Sequence, residues 1–173
     1  MTLDPTPYAS PGDPSNEAET DPALEAVRAA LAARGLHDRI RLFDVDLPTA
    51  AAAAAELGCD VGAIANSLVF RAGDEPVLVM ASGAHRVDPV KAGALFGVDT
   101  LRRADAATVL QATGQEIGGC APAGHPAPLR TVIDVDLAGH ERLWAGGGVK
   151  HAMLWLTYDE LLALTGGTPA EVA

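Results

Sequence analysis

The 173-residue sequence predicts a single α+β domain: a curved mixed sheet, or partial barrel, flanked by helices. Three observations point there. The length suits one compact domain. Helical and strand patterns interleave along the chain while hairpin signals recur, which favours a partly antiparallel sheet over a doubly wound parallel one. Residues are 49% apolar but only 4% aromatic, so the core must be mainly Ala, Val, Leu and Ile.

Residues 1–20 carry Pro5, Pro7, Pro11 and Pro14 among Ser, Asp and Glu, with almost nothing apolar to bury, and read as a disordered acidic leader. The folded unit is expected over 21–167, with 168–173 a tail. Asp21-Pro22 forms an N-cap and first-turn proline, Leu24, Val27 and Leu31 recur at helical spacing, and Gly35 follows as a stop. Ile40 to Val45 reads as a strand. Thr49 caps an alanine-rich helix, Ala50 to Leu57, closed by Gly58. Ser67–Arg71 and Pro76–Ala81 are two strands joined by a Gly73-Asp74 turn. Asp88–Phe96 and Asp105–Ala112 are helical, and Thr131–Val135, Glu141–Ala145 and Met153–Leu156 are strands. Thr157-x-x-Glu160 is a capping box before a last helix, Leu161–Leu164, stopped by Gly166-Gly167. There is no internal repeat.

No apolar run approaches the roughly 20 residues that span a bilayer, and no basic-then-apolar start marks a secretory signal. Cys59 and Cys120 form no CxxC pair or metal cluster. A reduced, cytoplasmic setting away from membranes is expected. Net charge is −11, and without the leader there are still 19 acids against 12 bases. A protein gripping a long nucleic-acid backbone is usually basic. DNA is therefore not expected, and any RNA would be held at one end or with a partner's help.

The densest loop signal is Gly118-Gly119-Cys120-Ala121-Pro122-Ala123-Gly124-His125-Pro126. Glycine lets backbone N–H groups approach a ligand and proline rigidifies the loop, so its amides suit a carbonyl or oxyanion; an ordinary connection is the plainer reading. Gly146-Gly147-Gly148, ahead of Lys150 and His151, wraps a ligand or makes a wide turn. It fits neither GxxxxGK[ST] nor GxGxxG. Among five histidines none has metal spacing, and no metal or cofactor is expected. His37 and His140 read as surface residues. His125 is the best candidate for a functional imidazole, with a structural hydrogen bond as the alternative. Ser67 and Ser82 read as strand-edge hydroxyls, and no serine sits in a GxSxG elbow. Cys120 raises a thiol nucleophile, but no base can be named for it. Asp134 and Asp136 fit a half-exposed strand; Arg86, Asp88 and Lys91 fit a solvated helix start. These residues define two glycine-rich loops and no activity.

Five segments together resemble the YbaK/EbsC family, which includes free-standing relatives of the prolyl-tRNA synthetase editing domain. Ala51 to Phe70 (AAAAAELGCDVGAIANSLVF) looks like its alanine-rich helix, "lGv" turn and "K-S-L" strand. Arg86-Val87-Asp88-Pro89-Val90-Lys91 resembles its "R-l-d-x-x-K" helix start. Gly118-Gly119-Cys120-Ala121-Pro122, continued by Gly124-His125, fits its GxxxP loop. Thr131–Asp136 resembles its "x-i-D" strand, and Trp144-Ala145-Gly146-Gly147-Gly148 its "w-a-a-G-G" turn. The resemblance spans roughly residues 24 to 165 in order.

It implies an aminoacyl-tRNA deacylase: hydrolysis of the ester between a small noncognate amino acid and tRNA, with tRNA(Pro) the leading choice, acting in trans for translation fidelity. The implied catalytic set is Asn66, Gly118, Gly119 and Pro122, the loop positioning the carbonyl for attack by water. The implied substrate-binding set is Ser67, Ser82, Arg86, Cys120, Ala121, Gly124, His125, Gly146, Gly147, Gly148 and Lys150. No metal, cofactor or covalent intermediate is implied. The implied partners are the aminoacyl-tRNA acceptor end and a prolyl-tRNA synthetase or other synthetase. One departure matters: the family lysine falls on Asn66, which has hydrogen-bonding capacity but no charge. Arg86 or Lys150 could substitute, or the protein could be a noncatalytic module binding tRNA ends, nucleotides or a synthetase.

Overall fold

A computed structural model describes residues 21–173 of the chain; the expected acidic leader lies outside them. The folded unit starts with helix α1 (Pro22–Ala32), where the Asp21 carboxylate accepts from the Ala23 N–H and Pro22 occupies the first turn. Strand β1 (Ile40–Leu42) leads to α2 (Ala50–Leu57), capped by Thr49 and ended by Gly58 at φ 66°. A left-handed residue there suits glycine. A 3₁₀ turn (Val61–Ala63) feeds β2 (Ile64–Ala72), which folds back through Gly73-Asp74 into β3 (Glu75–Ser82). Then come α3 (Pro89–Leu95), β4 (Arg102–Arg103), α4 (Ala106–Thr113), β5 (Arg130–Asp134), β6 (Leu143–Gly146), β7 (Ala152–Leu156), α5 (Tyr158–Thr165) and β8 (Thr168–Ala170).

The strands form one mixed sheet in the order β1-β7-β6-β2-β3-β5-β8, with β4 pairing β2. It is open, with β1 and β8 as its ends, as expected of a curved mixed sheet, and does not close into a full barrel. The pairs β2/β3, β6/β7 and β1/β7 are antiparallel, whereas β2/β6, β3/β5 and β5/β8 are parallel. Alternation along each strand sends successive side chains to opposite faces. Leu78 and Met80 of β3 therefore join Val27 and Leu31 of α1 and Leu161 of α5 in one core. Val77, Val79 and Ala81 join Ala92 and Phe96 from the α3 region in a second. The alanine-rich α2 seals a third, against Ile64 and Met153.

Two local departures from the sequence reading have physical causes. Residues 168–173, expected as a tail, extend the sheet: Thr168, Pro169 and Ala170 pair with Val132, Ile133 and Asp134, and Val172 is 1% exposed. Three residues with a central proline carry no period-2 signal, and only the edge of β5 makes them a strand. The strand expected over Ile40–Val45 ends at Leu42 because its partner β7 begins at Ala152, opposite Leu42.

The site is positioned by how β2 is flanked. Its β3 side is paired along Ala65–Ala72. On its other side β6 pairs only with Ile64 and Ala65, and β4 only with Phe70 and Arg71. Between them the strand edge lies open.

Candidate active site

A cavity of about 620 Å³ opens over that edge. Its floor is β2; its walls come from α2, the β3–α3 connection, β4 and the two glycine-rich segments. Those segments interlock backbone to backbone. The Gly148 N–H donates to the Gly119 carbonyl at 2.8 Å, and the Gly147 N–H to the Ala152 carbonyl at 2.8 Å. A Cβ on Gly146 would collide with the Cys120 carbonyl, and one on Gly119 would lie 2.8 Å from the Val149 backbone. Side chains are excluded because two main chains share the space. By turning away after Gly146, the chain leaves β2 exposed beyond Ala65.

The Gly118–Pro122 loop is held by a residue that sequence reading passes over. The Gln115 side chain, 1% exposed, accepts from the Ala121 N–H at 2.7 Å and donates to the Ala123 carbonyl at 3.1 Å. The Gly119 N–H donates to the Glu116 carbonyl at 3.0 Å. The N–H groups of Gly118 and Cys120 take no hydrogen bond among the described residues, and both residues line the cavity. Gly118 sits at φ +89°. Two amide donors on a fixed loop beside an open cavity suit the oxygen of a carbonyl that gains negative charge.

The remaining polar groups sort by what they touch. Arg86 lines the cavity from the β3–α3 connection, which His85 fastens. His85 Nδ1 lies 2.7 Å from the buried carboxylate of Asp134, and Nε2 lies 2.9 Å from Asp136. Asp134 also accepts from the Ser82 and Asp136 N–H groups. Asp134 at the end of β5 and Asp136 in the 3₁₀ turn that follows thus anchor a loop rather than decorate a strand. Arg103 of β4 is a second cavity cation. Burial pushes the Cys120 thiol up from its usual range, against a smaller opposite pull from Thr113, and Sγ lies 3.4 Å from the Glu116 carbonyl. A protonated thiol is a poor nucleophile.

Of the residues singled out from sequence, Asn66, Ser67, Arg86, Gly118, Cys120 and Gly146 line this cavity together. Gly119, Ala121, Gly147 and Gly148 lie behind its wall, holding the two loops. The Lys150 stem runs beside Gly118, with Nζ 3.9 Å from Glu116. Ser82 is buried and donates to the Gly62 carbonyl at 2.9 Å. Pro122, Gly124 and His125 border a separate cavity of about 250 Å³ beside α1. There His125 Nε2 lies 3.0 Å from the Ala121 carbonyl, and burial, outweighing that bond, lowers the imidazole's proton affinity. Gln115, His85 and Arg103 were missed. A lone Gln reads as surface, and the Asp–His contact joins residues 49 apart. Only the Arg102-Arg103 pair was a visible signal.

Comparison with known proteins places this geometry. Residues 44–164 match the aminoacyl-tRNA editing domain. The chain is 30% identical over 140 residues to YwhH of Bacillus subtilis, covering 80% of this chain and 88% of that protein. It is 29% identical over 97 residues to the proline–tRNA ligase of Geotalea daltonii, covering 56% of this chain and 17% of the ligase. A crystal structure of a candidate trans-editing enzyme for prolyl tRNA synthetase superposes with a TM-score of 0.82 at 38% identity, over 88% of this chain and 97% of that one. The structure of the protein APE2540 superposes at 0.78 with 30% identity, over 85% and 98%. No helix among the described residues is long and apolar enough to cross a membrane. The match over most of the folded unit makes this chain a member of the aminoacyl-tRNA editing domain family, of YbaK type.

Proposed function

We propose that the protein is a trans-editing deacylase that hydrolyses the ester of a small noncognate amino acid, such as alanine, on tRNA(Pro). The observation that carries this reading is the pair of unoccupied amides, Gly118 and Cys120, on a braced loop facing the open edge of β2. In the proposed mechanism the aminoacyl carbonyl lies against these amides. Water attacks the carbonyl carbon, the negative charge developing on oxygen is held by the two N–H groups, and the ester C–O bond breaks to release the amino acid and the tRNA hydroxyl. The terminal ribose hydroxyl is close enough to the ester to assist. Fixed donors act without reorganising as charge develops, which is why removing one such donor costs about 10²–10³ in rate. Arg86 and Arg103 supply the positive charge that Asn66 lacks and suit the phosphate of the terminal nucleotide. The tRNA acceptor end is the proposed partner, with a prolyl-tRNA synthetase as a second, a reading supported by the similarity to a proline–tRNA ligase.

Asn66 motivates one second reading, a noncatalytic module on the same fold. Deacylation of a panel of mischarged tRNAs, beginning with Ala-tRNA(Pro), by the wild type and Asn66→Lys separates the two. Turnover by the wild type supports editing without the lysine. A silent wild type with an active Asn66→Lys supports a binding protein.

A further inference from the structure

The open stretch of β2 has a defined chemistry. The two-residue turn makes Ala72 and Glu75 the closing pair of the hairpin, and the Gly83 N–H donates to the Ile64 carbonyl at 2.7 Å. Alternation then turns the main-chain groups of even-numbered β2 residues toward β3 and those of Ala65, Ser67, Val69 and Arg71 toward the opposite side. There β6 meets Ala65 and β4 meets Arg71. Ser67 is left between them, its N–H and C=O groups turned into the cavity with no strand opposite; the Val69 N–H beside it is also open, whereas the Val69 carbonyl flanks the Phe70–Arg103 pair and belongs to the β4 side. The Ser67 hydroxyl oxygen is buried and has no hydrogen-bond partner. A buried polar atom without a partner is uncommon enough to require a reason.

We infer that this stretch is the seat of the α-ammonium group of the aminoacyl ester, taken by the Ser67 main-chain carbonyl and hydroxyl oxygen. The inference rests on the editing reading above and deepens it. An aminoacyl group carries two polar features: an ester carbonyl, which needs donors, and an ammonium, which needs acceptors. The glycine loop offers amide donors at Gly118 and Cys120; the open edge offers the acceptors. Ser67 lines the same cavity as Gly118 and Cys120, so the two sets converge. The consequence is selectivity for a free amino group. A peptidyl or N-acylated ester has no ammonium for this seat, so the protein would spare peptidyl-tRNA.

The test uses a non-hydrolysable amide, 3′-(alanylamino)-3′-deoxyadenosine, and its N-acetyl form, with binding measured by calorimetry and the Ser67 and Val69 amides followed by NMR. The wild type binds the free amine about 10–100-fold more tightly than the N-acetyl form, the range for hydrogen bonds to a charged group, and both amide signals move. Ser67→Ala loses about 10-fold of that preference without lowering the thermal midpoint, because the hydroxyl it removes bonds nothing in the free protein; Ser67→Thr restores the preference. Equal affinity for the two analogues, no binding of either, or a Ser67→Ala variant that is destabilised with its preference intact overturns the seat. Failure of the editing reading looks different: a wild type silent on every mischarged tRNA that still prefers the free amine keeps the seat and loses the hydrolysis. Turnover that treats free and N-acetylated aminoacyl-tRNA alike keeps the hydrolysis and loses the seat.

Discussion

His125 shows what one side chain in the glycine/proline loop contributes. Its ring is half-buried beside α1 and bonded to the Ala121 carbonyl, outside the main cavity. Burial depresses its protonation in the folded state relative to an unfolded histidine near pH 6.5. Below that pH the unfolded chain binds the proton first, so stability falls as pH drops from about 6.5 toward the lower folded value. Urea midpoints compared at pH 7.5 and 5.5 should fall for the wild type and fall less for His125→Gln, whose amide can still donate to the Ala121 carbonyl. An equal fall in both proteins would remove His125 from the account. The sequence left His125 between a functional and a structural role, and only the position of its ring beside α1 separates it from the cavity. Asn66 is the converse case. Its identity was plain in the sequence as a lost charge, but that Arg103 shares its cavity depends on β4 pairing with the far end of β2.

At the scale of elements, the glycine-rich segments were legible and their function in the fold was not. Three glycines and two prolines in nine residues announce an irregular loop, whereas the reason for glycine at 119 and 146 is each segment's approach to the other's backbone. The helix caps at Asp21, Thr49 and Thr157, the Gly73-Asp74 hairpin and the alanine-rich α2 were readable because each is written within a few consecutive residues. Strand β8 was not, because its partner β5 lies more than 30 residues earlier. Its removal is a direct test of what it does. Ending the chain after Gly167 strips β5 of its outer neighbour, unburies Val172 and deletes the Val172 carbonyl that accepts from Asp88 at the start of α3. Burial of one valine is worth roughly 1.5–3 kcal/mol, and the lost main-chain bonds add to it. The truncated protein should unfold at clearly lower denaturant, with aggregation from the bared edge. An unchanged midpoint would show that β8 is only laid against the sheet.

For the molecule as a whole, charge sets how RNA can be held. The chain carries −11, yet Arg86 and Arg103 converge on the cavity. A substrate gripped through about two phosphates should show a log–log salt slope near −1.4 for a single strand, far shallower than that of a protein spread along a duplex. Measuring kcat/KM on a mischarged tRNA between 50 and 300 mM salt checks this. A slope several times steeper would require a basic surface elsewhere or a partner's grip. The fold class was legible from the interleaving of helical and strand patterns. The opening between β6 and β4 was not, because it arises from where two distant strands stop pairing with a third.

The central claim is that the amides of Gly118 and Cys120 hold the ester carbonyl during hydrolysis. It is tested most directly by the initial rate of deacylation of Ala-tRNA(Pro) by the wild type and by Gly118→Ala. At φ +89° an alanine is strained in the conformation that aims the Gly118 N–H. The account predicts turnover by the wild type above the spontaneous rate and a loss of about 10² in the variant, with the fold retained. A wild type that leaves the ester intact, or a Gly118→Ala variant as fast as the wild type, would contradict it.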